Sequence, residues 1–267
     1  MANTLKSLTL GAAVVSGLVC ATPLTAQDSE SLFGIDAPSV TFGPYVRAEL
    51  GFADTQTSDG FWDPPGASDP RILFDLDADS TRYGALAVGI DRMNGFRGEV
   101  ALSVFGETDV SGPWVATIPA TAGPHADMDG SVQSTTVMGN LYYAPLERMG
   151  RNAAFNPFVT VGLGFARNEV DAWSRTNPAA STAVRSFEGA ASTEFAWSIG
   201  IGGTWQIDRR DARPILIDAG VRYFDLGDAQ GGAQPLPGSG SSSPRTPLTF
   251  GVEATVVSVG VRIPLNR

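Results

Sequence analysis

The sequence predicts an all-β protein: an eight-stranded, antiparallel, up-and-down transmembrane β-barrel with four long external loops. Three observations predict it. Apolar residues recur with period two in eight stretches of about ten residues, and no segment carries a long 3.6-residue period. The links between stretches alternate strictly between long and short, as in a meander whose long loops share one end. Past residue 26 no apolar run approaches the ~20 residues of a spanning helix, in a chain of 267 residues that is 43% hydrophobic and only 17% charged.

The first stretch is 43–54, where Val46, Ala48, Leu50 and Phe52 alternate with Arg47, Glu49 and Gly51. The second, 82–92, sets Leu86, Val88 and Ile90 against Ala85, Ala87, Gly89 and Asp91. Met93-Asn94-Gly95 follows, and Asn-Gly readily takes the positive φ of a type I′ hairpin turn. The third, 96–106, alternates Val100, Leu102 and Val104 with Arg97, Glu99, Ala101 and Ser103. The fourth, 132–144, carries Val137, Leu141 and Tyr143 against Met138, Asn140 and Tyr142. The fifth, 157–169, places Val159, Val161, Leu163 and Phe165 opposite Thr160, Gly162, Gly164 and Ala166. The sixth, 193–207, has Phe195, Trp197, Ile199, Ile201 and Trp205 against small residues. The seventh, 214–226, alternates Ile217, Ala219, Val221 and Tyr223 with Asp218, Gly220 and Arg222. The eighth, 250–263, alternates Val257, Val259, Val261 and Ile263 with Ser258, Gly260 and Arg262. The long links are 55–81, 107–131, 170–192 and 227–249; the short ones are 93–95, 145–156 and 208–213.

Residues 1–26 read as a secretory signal peptide: Lys6, an apolar stretch from Leu8 to Val19, then Pro23 and Ala26. Cleavage is placed after Ala26, with Ala21 as the alternative. Val19 stands where a lipobox wants a small residue, so Cys20 reads as an ordinary signal residue. Residues 27–40 form an N-terminal extension and 41–267 the barrel domain. Past residue 26 the chain has no Lys and no Cys, and 17 Arg against 28 acids give a charge of −11. Disulfides and cysteine chemistry are excluded there. An acidic chain also lacks the basic footprint of a nucleic-acid partner.

Periodicity alone does not say which face is outside. In a soluble barrel the apolar face is the core; in an outer-membrane barrel it meets lipid, and the polar face fills the lumen. The face opposite the aliphatics is rich in Gly, Ala, Ser and Thr, which suits the narrow interior of eight strands. Aromatics gather near strand ends, at Tyr45, Phe52, Phe96, Phe105, Tyr142, Tyr143, Trp205 and Tyr223, as interfacial girdles require. Strands near ten residues match the ~9–11 that cross a bilayer when tilted.

The stretch Met138-Gly139-Asn140-Leu141-Tyr142-Tyr143, followed by Asn156-Pro157-Phe158-Val159-Thr160-Val161-Gly162-Leu163-Gly164-Phe165, resembles a conserved region of opacity-protein-like outer-membrane β-barrel domains. Phe195 to Gly202 resembles that family's next strand. Asp218-Ala219-Gly220-Val221-Arg222-Tyr223-Phe224-Asp225-Leu226-Gly227 resembles the strand after it. The likeness covers about 40–265 and is most specific over 138–227. It implies an eight-stranded barrel in the outer membrane of a Gram-negative bacterium, with lipid and the barrel-assembly machinery as partners. Such chains usually end on an aromatic residue; this one ends Ile263-Pro264-Leu265-Asn266-Arg267, with Leu265 in that place.

Nine charged residues are assigned to a lumen network: Arg47, Glu49, Asp91, Arg97, Glu99, Asp218, Arg222, Glu253 and Arg262. Buried charges must be paired, so the network reads as a salt-bridged plug ahead of a narrow ion pathway. Other candidates are weaker. Asp75-Leu76-Asp77-Ala78-Asp79-Ser80 starts like a calcium loop, but Ser80 and Leu86 stand where Gly and Glu are wanted. His125-Ala126-Asp127-Met128-Asp129-Gly130 has the Gly, but Thr136 stands in the Glu position. His125 is the sole His and sits mid-loop, which argues against a Ser–His–acid lipid enzyme. Residues 227–247 are Gly-, Pro- and Ser-rich and read as a flexible external loop. Trp62, Trp114 and Trp173 fall in three different long loops, either packing locally or recognising something outside. The expected function is a non-enzymatic outer-membrane barrel with a structural or surface-interaction role and no cofactor or metal. The alternatives are a small ion-conducting channel and a soluble exported ligand-binding barrel. An extracellular partner is not specified by any motif.

Overall fold

The computed structural model describes residues 43–92, 94–151, 155–179, 182–207, 215–239 and 242–265. The signal peptide, the N-terminal extension and the 208–213 turn fall outside the described residues, as do Met93 and the last two residues. Thirteen strands are described, in chain order β1 (Gly43–Asp63), β2 (Arg71–Phe74), β3 (Asp77–Ala78), β4 (Thr81–Asp91), β5 (Phe96–Gly112), β6 (Trp114–Ile118), β7 (Asp127–Tyr143), β8 (Phe155–Val170), β9 (Trp173–Asn177), β10 (Thr182–Phe187), β11 (Ala190–Ile207), β12 (Ile215–Gln230) and β13 (Thr246–Pro264). One short helix, α1 (Pro145–Arg148), has Pro at its start, where a missing N–H costs nothing.

Eight of these strands close a ring. β1, β4, β5, β7, β8, β11, β12 and β13 each pair antiparallel with the next, and β13 pairs back onto β1 from Tyr45↔Pro264 to Asp63↔Thr246. Closure leaves no strand edge unpaired, the condition for backbone to cross hydrocarbon. Gly95, α1 and the start of β1 lie at one end, where Leu265 N–H donates to Pro44 O at 2.8 Å. Gly95 (φ 86°) makes the hairpin turn the sequence predicts. Ala144 N–H then donates to Gly95 O at 2.8 Å, tying adjacent turns together.

The aliphatic face is outside. Val88 is 62% exposed, Leu102 48% and Val161 48%, while Arg47, Glu49, Arg97, Glu99, Asp218, Arg222 and Arg262 are buried. An apolar exterior around a polar interior suits lipid and excludes a soluble barrel for this half of the molecule. The girdle needs correction. Phe52, Phe96 and Trp205 are exposed outside, but Tyr45, Phe105 and Tyr142 are buried in the lumen. Each sits at the inward parity of its own strand.

Seven of the eight ring strands are longer than the patterned stretches, and the ring strands run from 11 to 21 residues. The added length lies at the long-loop end, and there the pattern inverts. Val110, Val132, Val170, Leu226, Phe250 and Val252 face inward and are buried, while polar residues such as Asp54, Glu107 and Asp109 do not enter the core. The outer half is thus built like a soluble barrel, with a largely apolar core. Bulges mark the change of regime, between Ser58 and Phe61, Phe105 and Thr108, and Asp225 and Asp228.

The long loops add five strands as a cap: β2 pairs with β1 and β6, β3 with β5, and β9 with β7 and β10. The described part of the Gly-rich 227–247 segment joins it, where composition predicts a flexible loop. Residues 227–230 complete β12, and Gly231 and Gly232 are buried. Leu236 N–H donates to Ser186 O at 2.9 Å, and Glu188 N–H to Gln234 O at 2.8 Å. A Cβ on Gly231 would lie 2.5 Å from Trp173 Nε1, and one on Gly232 2.1 Å from Glu188 O. These glycines permit close approach; composition alone does not distinguish that from flexibility.

Candidate functional site: the filled lumen

The inward positions of the membrane half carry the charges. Arg47 donates through Nε to Glu99 at 3.1 Å, through Nη1 to Glu49 and through Nη2 to the Tyr142 hydroxyl at 3.0 Å. Glu99 also accepts from Tyr45 at 2.9 Å, Tyr142 at 2.7 Å and Asn140 at 3.2 Å. Ser258 donates to Glu49, and Arg222 to the Tyr142 hydroxyl at 2.7 Å. A second group centres on Asp218, which accepts from Thr204 at 2.6 Å and lies 3.6 Å from Arg97 and 3.3 Å from Arg262. Arg262 reaches on to Asp91. The Arg97 guanidinium lies 3.9 Å from the centre of the Tyr142 ring, joining the two groups.

Eight of the nine assigned residues are thus brought together, as four Arg and four acids. Glu253 is not among them. It alternates with the buried Val252 and Ala254, and its side chain faces Tyr223 and Asp225 on the exterior. Its parity matches that of Val257 and Val259, so the sequence contained the signal that places it outside. The same rule finds three members the charge search missed: Tyr45 with Arg47, and Asn140 and Tyr142 opposite Leu141.

One open space in this layer is water-sized. A cavity of about 10 Å³ is lined by Arg47, Glu49, Thr160, Asp218, Arg222 and Ser258 among others, room for about one water. Thr160 Oγ1, Ser198 Oγ and Arg97 Nη2 are buried without a protein partner, which marks where such waters would bond.

Two aromatic layers follow outward. Tyr83, Phe105 and Phe224, from three different strands, meet with centroids 5.1, 5.3 and 5.9 Å apart. Above them Trp173 stacks on Phe187 at 4.4 Å, and Trp62 packs edge-on to Trp173 at 6.4 Å. Trp62 and Trp173 are therefore core, not surface aromatics. Trp114 packs against His125 at 5.0 Å, and His125 Nε2 is hydrogen-bonded to Thr121 at 3.3 Å. Asp77 and Ala78 pair with Ser111 and Val110 in the cap.

No protein-family model matches the chain, and no curated protein matches it. Among solved structures it is similar to Neisserial surface protein A, at 13% identity and a TM-score of 0.46, covering 83% of this chain and 97% of that one. It is also similar to the outer membrane protein OprG from Pseudomonas aeruginosa, at 17% identity and 0.43, covering 83% and 96%. A third is the outer membrane protease OmpT from Escherichia coli, at 6% identity and 0.46, covering 86% and 100%. No residue role is carried over at these identities. The ring of eight strands implied by the resemblance to opacity-protein-like barrels is the ring observed.

Proposed function

We propose that this chain is a non-enzymatic protein of the Gram-negative outer membrane. Its barrel anchors a rigid cap at the cell surface, where the cap has a structural or recognition role. The observation that carries this reading is the filled lumen: one charged layer and two aromatic layers lie in series, and the cavity found in the charged layer is water-sized. Ion conduction needs a continuous wet path, and a barrel of eight strands offers little room for one. His125 contacts Trp114 and Thr121 rather than a serine nucleophile, which speaks against a Ser–His hydrolase built on it. The exposed aliphatic belt is the surface for lipid, and biogenesis would require the barrel-assembly machinery.

Planar-bilayer recording on the refolded protein tests the reading. The expected result is no stepwise conductance, together with a heat-modifiable band on a denaturing gel. Reproducible conductance steps from the wild-type chain would replace this reading with the channel.

A further inference from the structure

The inner face of the β9–β10 hairpin carries Arg175 directly opposite Arg185. Like charges in cross-strand register repel, and this chain has acids to spare. Asp63 pairs with Arg71 in the same cap. Yet neither Arg175 nor Arg185 makes an ion pair among the described residues. Both guanidinium groups instead lie against the Trp62 ring, at 4.7 and 5.4 Å from its centroid.

The hydrogen-bond inventory there is one-sided. Arg175 donates through Nε to Ala126 O at 3.1 Å and Asp127 O at 3.3 Å, and through Nη2 to Ala126 O. Its Nη1 makes no hydrogen bond among the described residues. The Asp127 carboxylate is engaged by Trp114 N–H at 3.3 Å. Trp62 Nε1–H is buried with no partner. Trp Nε1 and the guanidinium nitrogens only donate. Trp62, Arg175 and Arg185 therefore set donors around one ring, and neither Trp62 Nε1 nor Arg175 Nη1 has an acceptor among the described residues. Arg175 is 3% exposed, whereas Arg185 is half-buried and reachable from outside.

We propose that this cluster binds a doubly charged tetrahedral oxyanion, phosphate or sulfate, either free or as an ester on a glycan. Two cations match its charge, and donors from three side chains match an acceptor with several oxygens. The ligand enters at Arg185 and is held against the Trp62 N–H and Arg175. Burial and the neighbouring Arg185 pull the Arg175 pKa down to about 10, outweighing the Asp127 carboxylate, which raises it; a bound anion would add to that raising effect. The proposal rests on reading the cap as the outward-facing surface.

The test is an NMR titration of refolded, ¹⁵N-labelled protein in zwitterionic micelles. It follows the Trp62 indole N–H resonance, assigned with Trp62→Phe. Inorganic phosphate, inorganic sulfate and glucose 6-phosphate are the probes. A saturable shift of that resonance is expected, at least tenfold weaker in Arg185→Gln, whose half-buried side chain makes no ion pair the fold depends on. Arg175→Gln should lose the response, and heat-modifiability confirms that each variant is folded. A stronger response to glucose 6-phosphate assigns the anion to a glycan, and an equal one to the free ion; both support the site. No shift with any probe, or the same shift in Arg185→Gln, overturns it. A silent titration would leave the filled-lumen reading standing, since conductance tests that separately.

Discussion

Glu99 accepts hydrogen bonds from four side chains, Tyr45, Arg47, Asn140 and Tyr142, all within the lumen. Removing its charge leaves Arg47 with Glu49 as its one remaining ion-pair partner in an interior that penalises unpaired charge. Glu99→Gln should cost about 3 kcal/mol or more, read as a lower urea midpoint in micelles. Glu253, an acid with outward parity, should tolerate Gln within about 0.5 kcal/mol. Equal losses for the two variants would show that the charged layer does not hold the barrel together. Period-two parity is legible in a sequence, and it places both residues. What it lacks is the partner: nothing local says that the Tyr142 hydroxyl will lie between Arg47 and Arg222. Outside the membrane half, Asp63 accepts from Arg71 at 2.9 and 2.8 Å and from Thr246 at 2.7 Å. The Arg71 hydrogen bonds hold its carboxyl below the usual range. A depressed native pKa stabilises the fold above the unfolded pKa of about 4, and that stability fades as pH falls through the lower native value. The half-exposed Arg71 limits the effect to about 1 kcal/mol or less. Faster hydrogen exchange at β2 is expected below pH 4, and Asp63→Asn should show the faster exchange already at neutral pH.

At the scale of the element, the strands change character along their length. In the membrane half the apolar residues point out; beyond the bulges they point in. Val100, Leu102 and Val104 face outward on β5, whereas Val110 on the same strand is fully buried. A search for one continuous alternation therefore stops at the inversion, which is why the sequence locates the spanning segments well and under-reads the strands by several residues. Loop composition misleads in a related way. Gly and Pro are scored as freedom, but Gly232 is buried beside Glu188 O because only a residue without Cβ fits there. Gly232→Ala should destabilise the cap by about 1–3 kcal/mol through overpacking, while Ser243→Ala, at an exposed position, should be silent. Limited proteolysis of the cap separates them. Equal protection in the two variants would restore the flexible-loop reading of 227–247.

At the scale of the whole molecule, the two halves solve different solvent problems with one continuous ring of strands. The inner half exposes aliphatics and buries charge; the outer half buries aromatics and carries polar edges into water. Together they fill the interior with one charged layer and two aromatic layers, and the single cysteine, Cys20, precedes residue 27. One-cysteine variants of the 27–267 chain therefore report accessibility without background. In liposomes, Val184→Cys, on the exposed hairpin, should react at once with a charged, membrane-impermeant maleimide. Val161→Cys should resist that reagent but react with a lipid-soluble one, because its side chain projects from the belt. Ser198→Cys, 2% exposed within the lumen, should resist both until the barrel is unfolded, from whichever side the reagent is supplied. Labelling of Val161→Cys by the charged reagent would mean that the belt faces water, and the membrane assignment would fail. Labelling of Ser198→Cys in the folded protein would mean that water and small solutes reach the charged layer. The aromatic layers would then be a gate rather than a seal, and the four arginines and four acids would line a pathway instead of filling a core.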